Sequence, residues 1–222
     1  MNLLDYKGFI FDLDGTLLNS EKIWESVDND FFGKRGIELP EDYNKSINGL
    51  GLSDIAAYTI TRFSLDETLD SVMDEWKSSA KKAYSDTVSL FPFADEVLSF
   101  LKNSDKSLAI ATTNHSSLYI PALKRNGIYE YFKVIVDSDM TKCSKHKPDI
   151  YLLASRQLGL EPYECVVFED IEIALNTARN AGFKTAGVCM SKKNIDMIKN
   201  ISDIFITNYG NLLEDLKHKN NF

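Results

Sequence analysis

Gly8-Phe9-Ile10-Phe11-Asp12-Leu13-Asp14-Gly15-Thr16 is the stretch that decides the fold. Its first four residues form a short, continuous apolar run, the mark of a strand buried on both faces. The character then changes at once. Two carboxylates stand two residues apart, followed by a glycine that permits a tight turn and by a hydroxyl. In open α/β sheets, ligands bind in the crevice at the carboxyl ends of the strands, which is where this cluster would stand. The i, i+2 spacing can aim Asp12 and Asp14 into one pocket. Buried like charges raise each other's pKa and destabilise unless a cation or proton intervenes, so the pair is costly without a task.

Similar apolar runs recur at Ser107–Ala111, Val134–Val136, Cys165–Phe168, Thr185–Val188 and Ile204–Ile206. Helical patterns alternate with most of them: Asp95–Lys102, Leu118–Asn126, Ile150–Leu158, Ile173–Asn180 and Leu212–Leu216. Gly127, Gly159 and Gly182 fall where helix C-caps belong. This alternation predicts an α/β fold, a Rossmann-like parallel sheet flanked by helices. One stretch breaks the rhythm. From about Leu18 to Ser85 there is no convincing strand, only amphipathic segments at Ile23–Phe32, Tyr43–Ile47, Asp54–Phe63 and Glu67–Ala83. The expected division is an α/β core of residues 1–17 and 86–222 and an inserted helical domain of residues 18–85. A short polar tail, Lys217–Asn221, is expected to fray.

With 222 residues, 44% of them hydrophobic and 26% charged, the chain can fill a core of ordinary size. The formal net charge of −8 speaks against sequence-independent nucleic-acid binding, which needs basic surface to displace counterions, and against docking on anionic membranes. No segment is apolar for the length of a membrane span. The N-terminus leads straight into a core strand, so no signal peptide is expected. Cys143, Cys165 and Cys189 form neither a zinc-ligand spacing nor a disulfide framework. Reduced thiols in a cytoplasmic protein is the plain expectation.

Three more polar clusters end apolar runs. Thr112 ends the second strand and could donate to a ligand oxygen, as could Thr113 or Asn114; each would also serve as a helix N-cap. Lys145 lies in a basic segment, Lys142 to Lys147, before Pro148, which suits the first turn of a helix. Glu169 and Asp170 follow the strand Cys165–Phe168. Adjacent carboxylates at a strand end suit a hard cation such as Mg²⁺, although acidic residues also favour helix N-termini. Taken singly, each cluster has a structural explanation. Four of them on one rim of one sheet supply a nucleophile, an acid/base, a hydroxyl, a cation and a metal ligand, the inventory of an aspartate-based phosphoryl-transfer site.

With these motifs in order along essentially the whole chain, the sequence resembles the haloacid dehalogenase superfamily, in the branch that contains β-phosphoglucomutase and many small-molecule phosphatases. The resemblance implies that Asp12 is the nucleophile and Asp14 the general acid and base. It implies that Thr112 and Lys145 hold the phosphoryl oxygens. Asp12, Asp170 and the backbone carbonyl of Asp14 would bind Mg²⁺, with Glu169 assisting. Thr16, Thr113 and Asn114 are candidate substrate contacts, together with Gly49 and Leu50 in the loop that would enter the site from a helical cap. The implied activity is a phosphatase acting on a small phosphorylated metabolite, with a monomer expected. The alternatives are a phosphomutase and a catalytically silent binding module on the same fold. An acid such as Asp14 is needed by an alkoxide leaving group and not by a halide, so phosphate esters are favoured over carbon–halogen bonds. The chain departs from the common pattern at Asn19, His146, Ile171 and Ala174. Leu52 stands where β-phosphoglucomutase has an arginine, which puts mutase activity in doubt. His115 and His146 are weaker site candidates. Trp24 and Trp76 read as core of the insert, with a rim role open for Trp24, and Tyr209 reads as helix packing.

Overall fold

The computed structural model describes residues 2–190 and 195–220. Six strands form one parallel sheet: β1 (Gly8–Phe11), β2 (Ser107–Thr112), β3 (Val134–Asp137), β4 (Cys165–Glu169), β5 (Lys184–Val188) and β6 (Ile204–Ile206), in the order β3-β2-β1-β4-β5-β6. The alternation of side chains along a strand divides the core. Phe9 and Phe11 pack with Leu98, Leu118 and Leu213 on one face, whereas Ile10 packs with Ile150, Ala154 and Ala178 on the other. Helices thus cover both faces, as continuous apolar strands require.

The chain leaves β1, builds β2 and β3 on one side, then returns to place β4 on the other side of β1. This reversal is the topological switch point at which open α/β sheets form their ligand crevice. Register fixes what meets there. Phe11 is paired with Ile110 and with Phe168, so the polar residues that follow β1, β2 and β4 emerge at nearly one level. The ladder runs one residue further, with the Asp12 N–H donating to the Phe168 carbonyl at 3.0 Å.

Between β1 and β2 lie four helices, α1 (Glu21–Lys34), α2 (Tyr43–Ile47), α3 (Leu52–Phe63) and α4 (Leu69–Asp86), and then α5 (Ala94–Asn103) against the sheet. The two connections to the first four helices run side by side. The Asn19 N–H donates to the Ser89 carbonyl and the Phe91 N–H to the Leu17 carbonyl, both at 2.9 Å. The buried residues of the insert, among them Phe31, Phe32, Trp76 and Tyr84, are continuous with the core under the sheet. Arg35 ties α1 to α4 through Glu67 (2.6 Å) and Glu75 (2.7 Å) and lies over the Phe31 ring.

The remaining helices are α6 (Ser116–Arg125), α7 (Ser138–Thr141), α8 (Asp149–Leu158), α9 (Glu172–Asn180), α10 (Ile195–Ile201) and α11 (Tyr209–Asn220). Several bounds differ from the periodicity. Thr112 is the last residue of β2, one past the apolar run Ser107–Ala111. α6 starts two residues early because the His115 side chain accepts from the Ser117 N–H. α4 starts later than expected because Thr68 caps it, accepting from the Ser71 N–H. Asp137 likewise caps α7, a single turn that no apolar stripe announces. The tail Lys217–Asn221 continues α11 as far as Asn220, with Lys217, His218 and Lys219 exposed; Asn221 lies outside the described residues. Tyr209 does more than pack, since its hydroxyl donates to the Thr16 carbonyl at 3.1 Å.

Candidate active site

The turn after β1 begins the site. Gly15 has φ +80°, a conformation that L side chains avoid. A Cβ there would overlap the Asp170 carboxylate, lying 2.8 Å from its Cγ. Glycine is thus what allows the ends of β1 and β4 to close on each other. Asp12, Glu169 and Asp170 each offer an oxygen, and these lie within 4.8 Å of one another. Lys145 reaches in from the loop before α8. Its ammonium, 4% exposed, bonds Asp12 Oδ1 and lies 2.6 Å from Glu169 Oε1. The Tyr151 hydroxyl, one turn into α8, donates to the same Glu169 oxygen at 2.7 Å.

Charge counting shows what the cluster lacks. Two buried carboxylates, Asp12 and Glu169, and the half-buried Asp170 around one ammonium leave two negative charges uncompensated if all ionise. Burial, with Glu169 next, pushes the Asp12 carboxyl well above the usual range, against the opposing pull of Lys145. Burial and Glu169 likewise push Asp170 up to about 7. Burial alone would lower the Lys145 ammonium, but Asp12 and Glu169 outweigh it and hold Lys145 above the ordinary lysine range. Glu169 Oε2 is buried with no hydrogen-bond partner. An orphaned carboxylate oxygen, a carboxylate donor set and a net negative charge fit a hard divalent cation, which takes oxygen ligands and offsets that charge.

Asp14 is separately held. Its Oδ1 accepts from Ser20 Oγ at 2.6 Å and from the Tyr84 hydroxyl; its Oδ2 accepts from Asn114 Nδ2 at 2.7 Å. Asn114 also accepts from the His115 N–H at 2.7 Å, so its amide is engaged by the protein. Thr112 is buried at the end of β2, with its hydroxyl accepting from the Asn114 N–H at 3.1 Å. Thr113 is half-buried beside it, and its carbonyl accepts from Ser138. The Thr16 side chain is fully buried with its hydroxyl unpartnered, set into the protein beneath the turn.

The loop before α3 meets this rim. The Lys145 N–H donates to the Gly49 carbonyl at 2.9 Å, and His146 Nε2 lies 3.2 Å from the Asn48 carbonyl. Gly49, with φ +77°, has no room for a Cβ, which would lie 2.7 Å from Ile173 Cγ2. Gly49 and half-buried Leu50 are therefore at the rim, seated on His146, Ile171 and Ile173. Two of those three residues, His146 and Ile171, are departures from the common pattern.

Sequence reasoning missed Ser20, Tyr84 and Tyr151 as site residues. The only advance signal is chemical: a buried tyrosine hydroxyl needs a partner, and both tyrosines find a carboxylate. Trp24, given an open rim role above, instead donates its indole N–H to the Tyr84 hydroxyl at 2.8 Å. Trp76 is buried in the insert core, and His115 serves as a helix cap.

The fold and the site together define an α/β enzyme that gathers carboxylates and a lysine at the switch point of a parallel sheet. The family model of haloacid dehalogenase-like hydrolases matches residues 9–188, and the chain belongs to that family. It is 29% identical, over 82% of its length and 96% of the relative's, to the fructose-1-phosphate phosphatase YqaB of Escherichia coli. It is 27% identical to a phosphorylated carbohydrates phosphatase of Thermotoga maritima, over 79% of this chain and 81% of that one. Among solved structures, CbbY from Rhodobacter sphaeroides in complex with phosphate superimposes with a TM-score of 0.78 over 96% of this chain and 99% of that chain, at 23% identity. A β-phosphoglucomutase from Clostridium difficile gives 0.78 over 98% and 100%, at 19% identity. These two likenesses establish the fold. No helix among the described residues is long and apolar enough to cross a membrane.

Proposed function

We propose that the protein is a Mg²⁺-dependent phosphatase that hydrolyses a small phosphorylated metabolite through an aspartyl-phosphate on Asp12. The observation that carries this reading is the cluster of Asp12, Glu169 and half-buried Asp170 at the ends of β1 and β4 around the buried Lys145 ammonium, with Asp14 fixed beside it. Similarity to sugar-phosphate phosphatases supports the substrate class. In this reading residues 18–85 are a cap over a core of residues 1–17 and 86–222, and Gly49 and Leu50 present the cap to the substrate.

The chemistry follows from the side chains. An Asp12 oxygen attacks phosphorus, and the P–O bond to the substrate breaks. Asp14, protonated, gives its proton to the departing alkoxide, which is too poor a leaving group to depart without it. Asp14 then takes a proton from the water that attacks the acyl phosphate, releasing inorganic phosphate and restoring Asp12. Lys145 and the Thr112 hydroxyl hold the phosphoryl oxygens, where charge stabilisation is the main task. Mg²⁺ held by Asp12, Asp170 and the Asp14 carbonyl, beside Glu169, would supply further positive charge at the transferring group.

Water is favoured over a second hydroxyl as acceptor. A mutase needs a cation in the cap for a distal phosphate. Both arginines of the insert are engaged elsewhere, Arg35 with Glu67 and Glu75 and Arg62 with Asp42 and Tyr58. The test is a panel of sugar and small-acid phosphates, scored by kcat/KM with Mg²⁺ and with chelator. Mg²⁺-dependent release of phosphate from at least one small ester is expected. No turnover across a broad panel would overturn the reading.

A further inference from the structure

We propose that Tyr84, oriented by Trp24, is the positioning residue of the proton-transferring carboxylate Asp14, and that it selects Oδ2 as the oxygen that exchanges the proton. The inference rests on the reading of Asp14 as acid and base.

Donors and lone pairs decide the geometry around Asp14. An indole N–H can only donate, so when Trp24 Nε1 meets the Tyr84 hydroxyl at 2.8 Å the tyrosine oxygen must accept. The hydroxyl donates to Asp14 Oδ1, with the Ser20 hydroxyl also beside the tyrosine oxygen. Tyr84 is fully buried, so its oxygen is held between the indole N–H and the carboxylate. Ser20 places a second hydroxyl on the same Oδ1 at 2.6 Å. A carboxylate oxygen has two lone pairs, and those of Oδ1 are both taken. Oδ2 accepts one bond, from Asn114, and among the described residues keeps one lone pair for a proton.

The donors also come from informative places. Asn114 follows β2, but Ser20 lies in the connection out to the insert, Tyr84 in the last turn of α4 and Trp24 in α1. Two helices of the insert therefore set the direction of a carboxylate that belongs to the sheet. A proton-transferring group must be aligned to within a fraction of an ångström, and misplacement alone costs one to two orders of magnitude. Tyr84→Phe removes the anchoring hydroxyl and keeps the packing ring; Trp24→Phe leaves the hydroxyl but frees its direction.

The test compares kcat/KM for an alkyl phosphate and for an aryl phosphate with a good leaving group. This constant covers only the steps up to release of the alcohol, and only the alkyl ester needs protonation there. Wild type, Tyr84→Phe, Trp24→Phe and Asp14→Asn are measured together, with thermal unfolding to verify folding. The alkyl-to-aryl ratio should fall about tenfold or more in Tyr84→Phe. It should fall in the same direction, by about threefold, in Trp24→Phe. A structural role alone would lower both esters equally. If Asp14→Asn depresses the ratio and Tyr84→Phe does not, the positioning role is overturned and the acid/base reading stands. If Asp14→Asn itself lowers both esters equally, the acid/base reading fails and the inference with it. Should Tyr84→Phe unfold, Trp24→Phe carries the test, and an unchanged ratio in that variant overturns the proposal.

Discussion

Replacing Lys145 by methionine probes the electrostatics of the cluster apart from catalysis. Methionine keeps most of the apolar stem and removes the only ammonium that touches Asp12 and Glu169 among the described residues. All three side chains are at most 5% exposed, so water cannot take over. Removing one partner of a buried ion pair costs about 3–5 kcal/mol. For a chain of this size each kcal/mol moves the melting temperature by about 2–4 °C, which gives a fall of about 6–20 °C. The carboxyls left behind limit the loss by taking up protons. The folded variant then binds more protons than the unfolded chain, so its deficit relative to wild type shrinks as pH falls from 8 toward the usual carboxylate range near 4. The assay is thermal unfolding in chelator at both ends of that window. Adding Glu169→Gln to Lys145→Met removes one of the stranded charges and should recover part of the loss. A variant that melts within about 2 °C of wild type at pH 8, with no response to Glu169→Gln, would refute the buried-cluster account.

Gly15→Ala should raise the Mg²⁺ concentration needed for half-maximal activity by tenfold or more, because its Cβ displaces Asp170; metal titration of the folded variant checks this, and an unchanged requirement would count against Asp170 as a ligand. Supplied with β-glucose 1-phosphate and the matching bisphosphate, the protein should release free phosphate faster than it forms glucose 6-phosphate. The reverse order would make it a mutase and assign the distal phosphate to another cation, such as exposed Lys22 or Lys45. Cys165 is buried, and burial pushes its thiol up to about 12; in the native state a thiol reagent should modify half-buried Cys143 well before Cys165, read by peptide mass analysis.

The sheet was legible in the sequence because a parallel sheet buried on both faces turns each strand into an unbroken apolar run. The polar residues just past those runs are the ones the structure gathers: Asp12 after β1, Lys145 before α8, and Glu169 and Asp170 at the end of β4. Helix ends were less legible, since caps such as His115, Thr68 and Asp137 depend on local backbone and leave little trace in hydropathy. Least legible were the residues that orient the candidate acid. Tyr84 meets Asp14 across 70 positions and Trp24 meets Tyr84 across 60. In the sequence Trp24 reads as core of the insert with a rim role open and Tyr84 carries no signal of its own, and only folding reveals that the tyrosine hydroxyl links the indole to a carboxylate. Asn114 is a related case. It was a candidate for the substrate, and its amide is occupied by Asp14 and His115. His146 and Ile171 stood out only as departures from a pattern, and the structure places both under the Gly49 loop.

The central claim is that Asp12 carries the phosphoryl group. The most direct measurement uses Asp14→Asn, in which water attack loses its base, mixed with an activated aryl phosphate and Mg²⁺, quenched in acid, and digested for peptide mass analysis. A single phosphoryl adduct on the peptide containing Asp12, absent without Mg²⁺ and removed by hydroxylamine as an acyl phosphate is, is the predicted result. Turnover of the same ester by the wild-type protein with no adduct on that peptide, or Asp12→Asn retaining more than about a tenth of wild-type activity where loss of an essential group should cost about a thousandfold or more, would contradict it.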